Sequence, residues 1–364
     1  MSDNLRVMIM AGGTGGHVFP ALAVADELLA VDAKISWLGT RRGIESELVP
    51  SRDLAITYLD IEGIRGRGVM ALIRAPLLLF RSIRQALSLL NEFKPQVVLG
   101  MGGFASGPGA VAAKLKGIPV VIHEQNSVAG TTNRLSAHIA RRVMQGFPNT
   151  LTNGEWCGNP VRPEIANLLP PQERLAKRKG KASVLVLGGS RGALAINRLL
   201  PEALGRIDAR VRPNVIHQTG RDHLQATIDA YQEQALNLKN GKINVVPFID
   251  AMEDAYAWAD FVICRAGALT IAELTAVGLG SLLIPFPHAI DDHQTCNGEL
   301  LVVQGAATMI QQSALTPEIL ANEINAICTQ PERRLNMAMR ARELAKIGAA
   351  QQVAKACIEV AHGL

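Results

Sequence analysis

The feature that most narrows the possible folds is a repeated unit: an apolar run, a cluster of glycines, then an amphipathic stretch. Residues 5–17 read Leu-Arg-Val-Met-Ile-Met-Ala-Gly-Gly-Thr-Gly-Gly-His, and residues 20–30 behind them carry helical spacing with Pro20 near the first turn. Residues 183–193 repeat the design as Ser-Val-Leu-Val-Leu-Gly-Gly-Ser-Arg-Gly-Ala, followed by a helical pattern over 194–204. Further strand signals lie at 35–38, 97–99 and 120–122, and in the second half at 214–217, 243–246, 261–264 and 281–284. Helical patterns separate them, so each half is expected to be a doubly wound α/β domain with a parallel sheet. The 364 residues suffice for two cores. Aromatics are only 4% of the chain, and an apolar mass of Ala, Val, Leu and Ile suits strands covered by helices on both faces.

The boundary is placed between Val161 and Pro163, giving domains 1–162 and 163–340, with a C-terminal helix over about 341–364 packing back on the first. Residues 165–181, with Pro170, Pro171, Arg174, Lys177, Arg178, Lys179 and Lys181, read as a linker and the exposed start of a new domain. The five cysteines (Cys157, Cys264, Cys296, Cys328, Cys357) are widely spaced without a C-x-x-C pair, which indicates neither a zinc site nor a disulfide framework and suits a reducing cytoplasm. The start of the chain lacks the pattern of a signal peptide. Two long uncharged stretches, 95–113 and 274–290, are broken by Gly and Pro and predict no transmembrane helix. Net charge is +5, and residues 60–145 alone hold eleven Lys and Arg against four Asp and Glu. A local basic excess predicts an anionic partner.

A glycine-rich turn between strand and helix presents backbone N–H groups to a phosphate at the positive end of the helix dipole. Three such loops occur, at 12–16, 100–107 and 188–192. None carries the G-K-[ST] of a P-loop, which disfavours ATP hydrolysis. A dinucleotide fingerprint starting at Gly13 fails at Val18, and the second strand ends without an acidic residue, which disfavours NAD; Arg41 and Arg42 leave NADP as a lesser option. A fourth loop is more specific. Residues 261–274, Phe-Val-Ile-Cys-Arg-Ala-Gly-Ala-Leu-Thr-Ile-Ala-Glu-Leu, read as a strand, a turn at 265–267 and a helix whose first amides, those of Ala268, Leu269 and Thr270, could hold a diphosphate. Glu273, one turn in, could accept from ribose hydroxyls. Equally, Thr270 and Glu273 have the spacing of a capping box.

Together these segments carry a resemblance. Gly12-Gly-Thr-Gly-Gly-His17, His123-Glu-Gln-Asn126, Gly158-Asn-Pro-Val-Arg162, Gly188-Gly-Ser-Arg-Gly192, Arg265-Ala-Gly-Ala-Leu-Thr270 with Glu273, and Asp291-Asp-His-Gln294 closely resemble the MurG family, in the right order over nearly the whole chain. That family adds N-acetylglucosamine from UDP-GlcNAc to lipid I, giving lipid II, in peptidoglycan synthesis at the cytoplasmic face of the inner membrane. The resemblance implies the GT-B architecture, two Rossmann-like domains with an interdomain cleft, and metal-independent, cofactor-free, inverting transfer. It implies Ser190 and residues 268–270 at the diphosphate, Glu273 at the ribose, Ile249 and Arg162 near the uracil, and Gln294 at sugar hydroxyls. Thr14, Gly15, Gly16 and Asn126 of the first domain would close over the donor. Arg191 departs from the family, which has Gln there.

Transfer from a UDP-sugar needs a deprotonated acceptor hydroxyl and a stabilised leaving group. His17 and Glu124 are the candidates for general base, against the plainer reading of His17 as a helix-start or core residue. Helix amides and Arg265 would meet the leaving charge. Asp291, Asp292 and His293 read as a sugar-binding turn rather than a metal site. Residues 65–84 alternate arginines with an apolar run: Leu72, Ile73, Arg74, Leu77, Leu79, Phe80, Arg81 and Arg84 suit a peripheral surface dipping into anionic headgroups, or else an ordinary amphipathic helix with its apolar side in the core. The basic patch lacks interleaved aromatics, which argues against nucleic acid. The resemblance adds lipid I, the anionic membrane surface and proteins of a division or elongation complex as partners. The competing readings are a lipid glucosyltransferase, a UDP-GlcNAc 2-epimerase or an NADP-dependent oxidoreductase.

Overall fold

The computed structural model describes residues 4–61, 69–175, 178–189 and 192–363, with side chains from Ala75 onward in the helix that opens at Val69. It divides into two compact units, Met1–Arg162 with Lys346–Leu364, and Pro163–Ala345. The first unit holds strands β1 (Arg6–Met10), β2 (Lys34–Gly39), β3 (Ala55–Tyr58), β4 (Val97–Gly100), β5 (Val120–Glu124), β6 (Arg142–Gln145) and β7 (Glu155–Trp156). The second holds β8 (Ser183–Leu187), β9 (Asn214–Gln218), β10 (Ile243–Val246), β11 (Phe261–Cys264), β12 (Ser281–Leu283) and β13 (Ala307–Met309).

Each set forms one all-parallel sheet, in the orders β3-β2-β1-β4-β5-β6-β7 and β10-β9-β8-β11-β12-β13. In both sheets the order reverses beside the first strand of the unit, between β1 and β4 and between β8 and β11. In open parallel sheets ligands bind at the carboxyl ends of the strands at such a switch point. All four glycine loops leave those four strands, so they lie at the strand ends where open parallel sheets generally take their ligands.

Four strands escaped the sequence reading: β3, β6, β7 and β13. They are two to four residues long and lie at or next to a sheet edge, where one-sided cover leaves no continuous apolar run to see. The helix after β1 also differs. It runs Gly15–Leu29, with Thr14 as an extended N-cap (φ −124°, ψ 161°) and Pro20 inside it. Its first turn is made of glycines, which read locally as loop.

The described part of the basic stretch 165–181 is not wholly exposed, Ile165 and Pro171 being buried. It forms short helices at Pro163–Ala166 and Pro171–Leu175. Arg174 turns inward, donating from Nη1 to Val277 O at 2.9 Å and from Nη2 to Gly278 O at 2.7 Å. It thereby satisfies carbonyls at the negative end of the helix Ala268–Val277. Burial, with Arg178 nearby, holds its guanidinium down at about 10. Arg178 pairs with Asp260 at 3.0 Å.

The last helix, Ala349–Ala361, belongs to the first unit. Val353, Ala354, Ala356, Cys357 and Val360 are buried with Val18, Ala21, Leu22 and Ala25 of the first helix.

Candidate functional site

The first glycine loop is fixed from below. Trp37, fully buried on β2, donates its indole N–H to Ala11 O at 2.8 Å. Glu45, also fully buried, accepts from Gly13 N–H at 2.9 Å through Oε2, and from Thr40 N–H (2.9 Å) and Oγ–H (2.8 Å) through Oε1. The loop turns at Gly13 (φ +93°), a conformation that strongly favours glycine. The helix then begins, and the amides of Gly15 and Gly16 precede its first hydrogen bonds, His17 N–H and Val18 N–H to Thr14 O. His17 is half-buried, with Nδ1 3.2 Å from Gly12 O. A carbonyl only accepts, so Nδ1 carries the proton and the neutral ring keeps its lone pair on Nε2.

The second glycine loop is a platform for the first rather than a separate cradle. Gly102 and Gly103 have φ of +94° and +88°, and a Cβ on Gly103 would run into Gly12 O, while one on Gly102 would meet the His17 ring at 2.9 Å. Ser106 bonds back to Met10 O at 2.8 Å.

At the end of β5, Glu124 is buried and both of its oxygens are occupied. Oε1 accepts from Asn126 N–H at 2.9 Å; Oε2 accepts from Asn133 Nδ2 at 2.9 Å and from Gly130 N–H at 3.1 Å. This is the geometry of a brace that shapes the 124–133 turn and presents Asn126. His123 is fully buried, its Nε2 2.9 Å from Gly158 O, and burial pushes its pKa down. Asn159 ties the same segment to Gln125 O. Arg162 stands over the ring of Phe19, 5.8 Å from its centroid.

In the second unit the helix Ala268–Val277 starts at an extended Gly267 N-cap. Its first bond runs from Ile271 N–H to Gly267 O, so the amides of Ala268, Leu269 and Thr270 stand ahead of the ladder at the positive helix end. This start excludes the capping box. Thr270 is the third helical residue rather than the N-cap, and Glu273 lies a further turn in. The Glu273 carboxylate is buried and accepts from the Tyr256 hydroxyl at 2.9 Å. Arg265 turns away from that helix start, donating to Ile284 O and Pro285 O at 3.0 Å and to Gln312 Oε1 at 2.6 Å, with Phe286 beneath its guanidinium. Burial lowers its pKa. Gln294 accepts from Phe286 N–H at 2.9 Å, beside Asp291 and Asp292, which both adopt positive φ. Ile249 is half-buried in the loop after β10. Ser190 and Arg191 lie outside the described residues. Among the described residues, no group of three or more His, Cys, Asp and Glu side chains is gathered as a metal centre requires.

The loop after β8 leans on a buried polar chain. Tyr231 Oη lies 3.1 Å from His217 Nδ1, His217 Nε2 lies 3.0 Å from Asn197 Oδ1, and Asn197 donates to Thr219 O, against which Gly192 is packed. Burial pushes His217 down to about 3 from 6.5. A histidine depressed in the fold contributes its full stability above pH 6.5 and loses it as pH falls toward 3. Against wild type, the stability deficit of His217→Gln in urea denaturation is therefore expected to shrink by about 2 kcal/mol between pH 7.5 and pH 5. A deficit that does not change with pH would show that this imidazole is not held neutral.

The helix Val69–Phe93 packs through Ser82, Ala86 and Leu90. Its preceding turn does not pack: Leu77, Leu79 and Phe80 are 54%, 44% and 58% exposed, and Arg81 and Arg84 are exposed beside them. The side chains of Leu72, Ile73 and Arg74 lie outside the described residues, as do Arg65 and Arg67. Among the described residues, no helix is long and apolar enough to cross a membrane.

Residues 7–145 match the glycosyltransferase family 28 N-terminal domain, and residues 183–355 match its C-terminal domain. The chain belongs to glycosyltransferase family 28. It is 49% identical to the UDP-N-acetylglucosamine--N-acetylmuramyl-(pentapeptide) pyrophosphoryl-undecaprenol N-acetylglucosamine transferase of Nitrosococcus oceani over 99% of both chains. Its identity to the Saccharophagus degradans protein of the same name is also 49%, over 98% of this chain and 92% of that one. The crystal structure of Acinetobacter baumannii MurG superposes with a TM-score of 0.84 at 39% identity, over 98% of this chain and 99% of that chain. The family fold is GT-B, which the two parallel-sheet units match.

Within this family-28 fold, two positions had no local sequence signal: Glu45 under the first loop and Tyr256 behind Glu273. Each reaches its partner across the chain, by 32 and 17 residues. If Glu273 binds ribose, Glu273→Ala raises the donor KM roughly ten- to two-hundredfold, as a charged acceptor contributing about 1.5–3 kcal/mol is lost. An unchanged donor KM with a lowered Tm would reduce Glu273 to a structural partner of Tyr256.

Proposed function

We propose that this enzyme transfers N-acetylglucosamine from UDP-GlcNAc to the C4 hydroxyl of the muramyl sugar of lipid I, forming lipid II with inversion at the anomeric carbon. The observation that carries this reading is half-identity, over essentially full lengths, to relatives named for that reaction. His17 is the base: Nε2 takes the hydroxyl proton as the oxygen attacks C1, and the C1–O bond to UDP breaks. The amides at 268–270, with Ser190, receive the diphosphate, Glu273 the ribose, Ile249 and Arg162 the uracil, and Gln294 the sugar. Amides already oriented toward developing charge need no reorganisation when the bond breaks. Thr14, Gly15, Gly16 and Asn126 complete donor contact. Glu124, with its oxygens occupied, shapes the turn that carries Asn126. Arg265, committed to Ile284, Pro285 and Gln312, supports the loop at 265–267.

The enzyme works as a peripheral protein on the cytoplasmic face of the inner membrane. The exposed Leu77, Leu79 and Phe80, with Arg81 and Arg84 and the preceding Leu72, Ile73 and Arg74, form its contact with anionic lipid. There it meets its lipid-anchored acceptor and the proteins of a division or elongation complex. A coupled UDP-release assay with UDP-GlcNAc and a short-chain lipid I analogue tests the reaction. Release is expected to require the analogue and to persist in EDTA. Release of UDP without the analogue, or product lacking the added sugar, overturns it.

A further inference from the structure

The Gly12–Gly13 peptide unit is held at both ends. Its carbonyl oxygen is 3.2 Å from His17 Nδ1, and its N–H donates to Glu45 Oε2 at 2.9 Å. A buried carboxylate and an imidazole therefore face each other through one planar, conjugated amide. Hydrogen bonding at the N–H polarises the amide and makes its oxygen a better acceptor, because bonds in a chain strengthen one another. In serine hydrolases a carboxylate bonded directly to histidine fixes its tautomer and stabilises the imidazolium. Here the amide stands between them.

The surroundings of Glu45 are built for this contact. It is fully buried, and its other oxygen is occupied by two donors of Thr40. Three glycines from two parts of the chain leave the space it fills: a Cβ on Gly12 or Gly43 would run into the carboxylate, and one on Gly39 would lie 2.7 Å from Cγ. Because Glu45 takes the Gly13 N–H, that amide is not offered to a substrate phosphate.

We propose that Glu45 is a positioning residue for His17, acting through the Gly12–Gly13 peptide to hold the proton on Nδ1 and to support the charge that Nε2 acquires as base. This rests on His17 being the base. The other charged groups near these elements are Arg41, which lies over the Tyr58 ring, Arg42 in the same loop, Arg162 over Phe19, and Glu124, whose partner Asn133 has its amide nitrogen beside Gly102.

The test is Glu45→Gln in the full chain, with Glu45→Asp as the charge-retaining control. Glu45→Gln is expected to lower kcat ten- to a hundredfold with donor KM within threefold, and to move the acidic limb of the kcat/KM profile to lower pH. Glu45→Asp should restore most of that limb. In a His17→Ala background Glu45→Gln should cost less than threefold, since the group it supports is gone. NMR titration of the labelled His17 ring reads the coupling without activity, and its pKa is expected to fall by at least half a unit in Glu45→Gln. An unmoved His17 titration, or equal losses in both backgrounds, overturns the proposal. If Glu45→Gln does not fold, nitrogen NMR of the His17 ring in wild type and in Glu45→Asp decides: a proton on Nδ1 of the neutral ring together with a small fall in ring pKa in Glu45→Asp supports the relay, and a proton on Nε2 or an unmoved pKa overturns it. Failure of the base assignment is distinct: His17→Ala alone would then cost less than tenfold while the ring still responded to Glu45.

Discussion

His17→Ala is expected to lower kcat by about 10²- to 10⁴-fold, the range for loss of a positioned proton acceptor, with little change in donor KM. The fold should survive, because the ring is half-buried and packs on Gly102 rather than within the apolar core. Single-turnover kinetics with a short-chain acceptor measure the chemical step directly. A loss below tenfold would remove the base from this residue. Glu124→Gln makes a useful contrast. It should lower activity by loosening the turn at 124–133, so its loss is expected in KM as well as kcat.

The second large effect concerns the membrane. The paired change Leu79→Glu with Phe80→Ser should weaken binding to vesicles rich in anionic lipid by about two to four orders of magnitude, since each inserted side chain contributes roughly 1.5–3 kcal/mol. Turnover of a soluble acceptor should be spared. Both residues are substantially exposed, so Tm is expected to stay within a few degrees. Neutralising Arg81 and Arg84 should weaken binding by about 1 kcal/mol each and make it less sensitive to salt. Vesicle sedimentation across ionic strengths separates the two contributions. Undiminished sedimentation of the Leu79/Phe80 variant would place the lipid contact on another surface, and an unfolded variant would make those side chains core.

What the sequence exposes, and what it hides, follows from how local each device is. The strand–glycine–helix units at 5–30 and 183–204 are legible because their hydrogen-bonding consequences lie within twenty-odd residues. The amides at 268–270 are legible for the same reason. The role of Glu273 is ambiguous until the helix start is known, since a shift of three residues in the N-cap, from Thr270 to Gly267, separates a capping box from a carboxylate held by Tyr256. Arg174 looked like solvated linker charge because the carbonyls that engage it, at Val277 and Gly278, lie about a hundred residues away. Glu45 is hidden most completely. Nothing in the residue pattern marks a buried acid, and its need becomes visible only when Gly12, from another part of the chain, is seen to close over it with Gly39 and Gly43.

The return of Ala349–Ala361 to the first unit has a consequence for biosynthesis. A ribosome delivers residues 4–162 long before the helix that fills part of their core. The second unit, contiguous from Pro163 to Ala345, has no such wait. The usual order, in which the N-terminal domain matures first, cannot be completed here before residues 349–361 are made. Until residues 349–361 are made, the half bearing His17 and the exposed Leu79 and Phe80 lacks Val353, Cys357 and Val360, and a nascent chain stalled before residue 346 would leave the apolar side chains that pack against them uncovered.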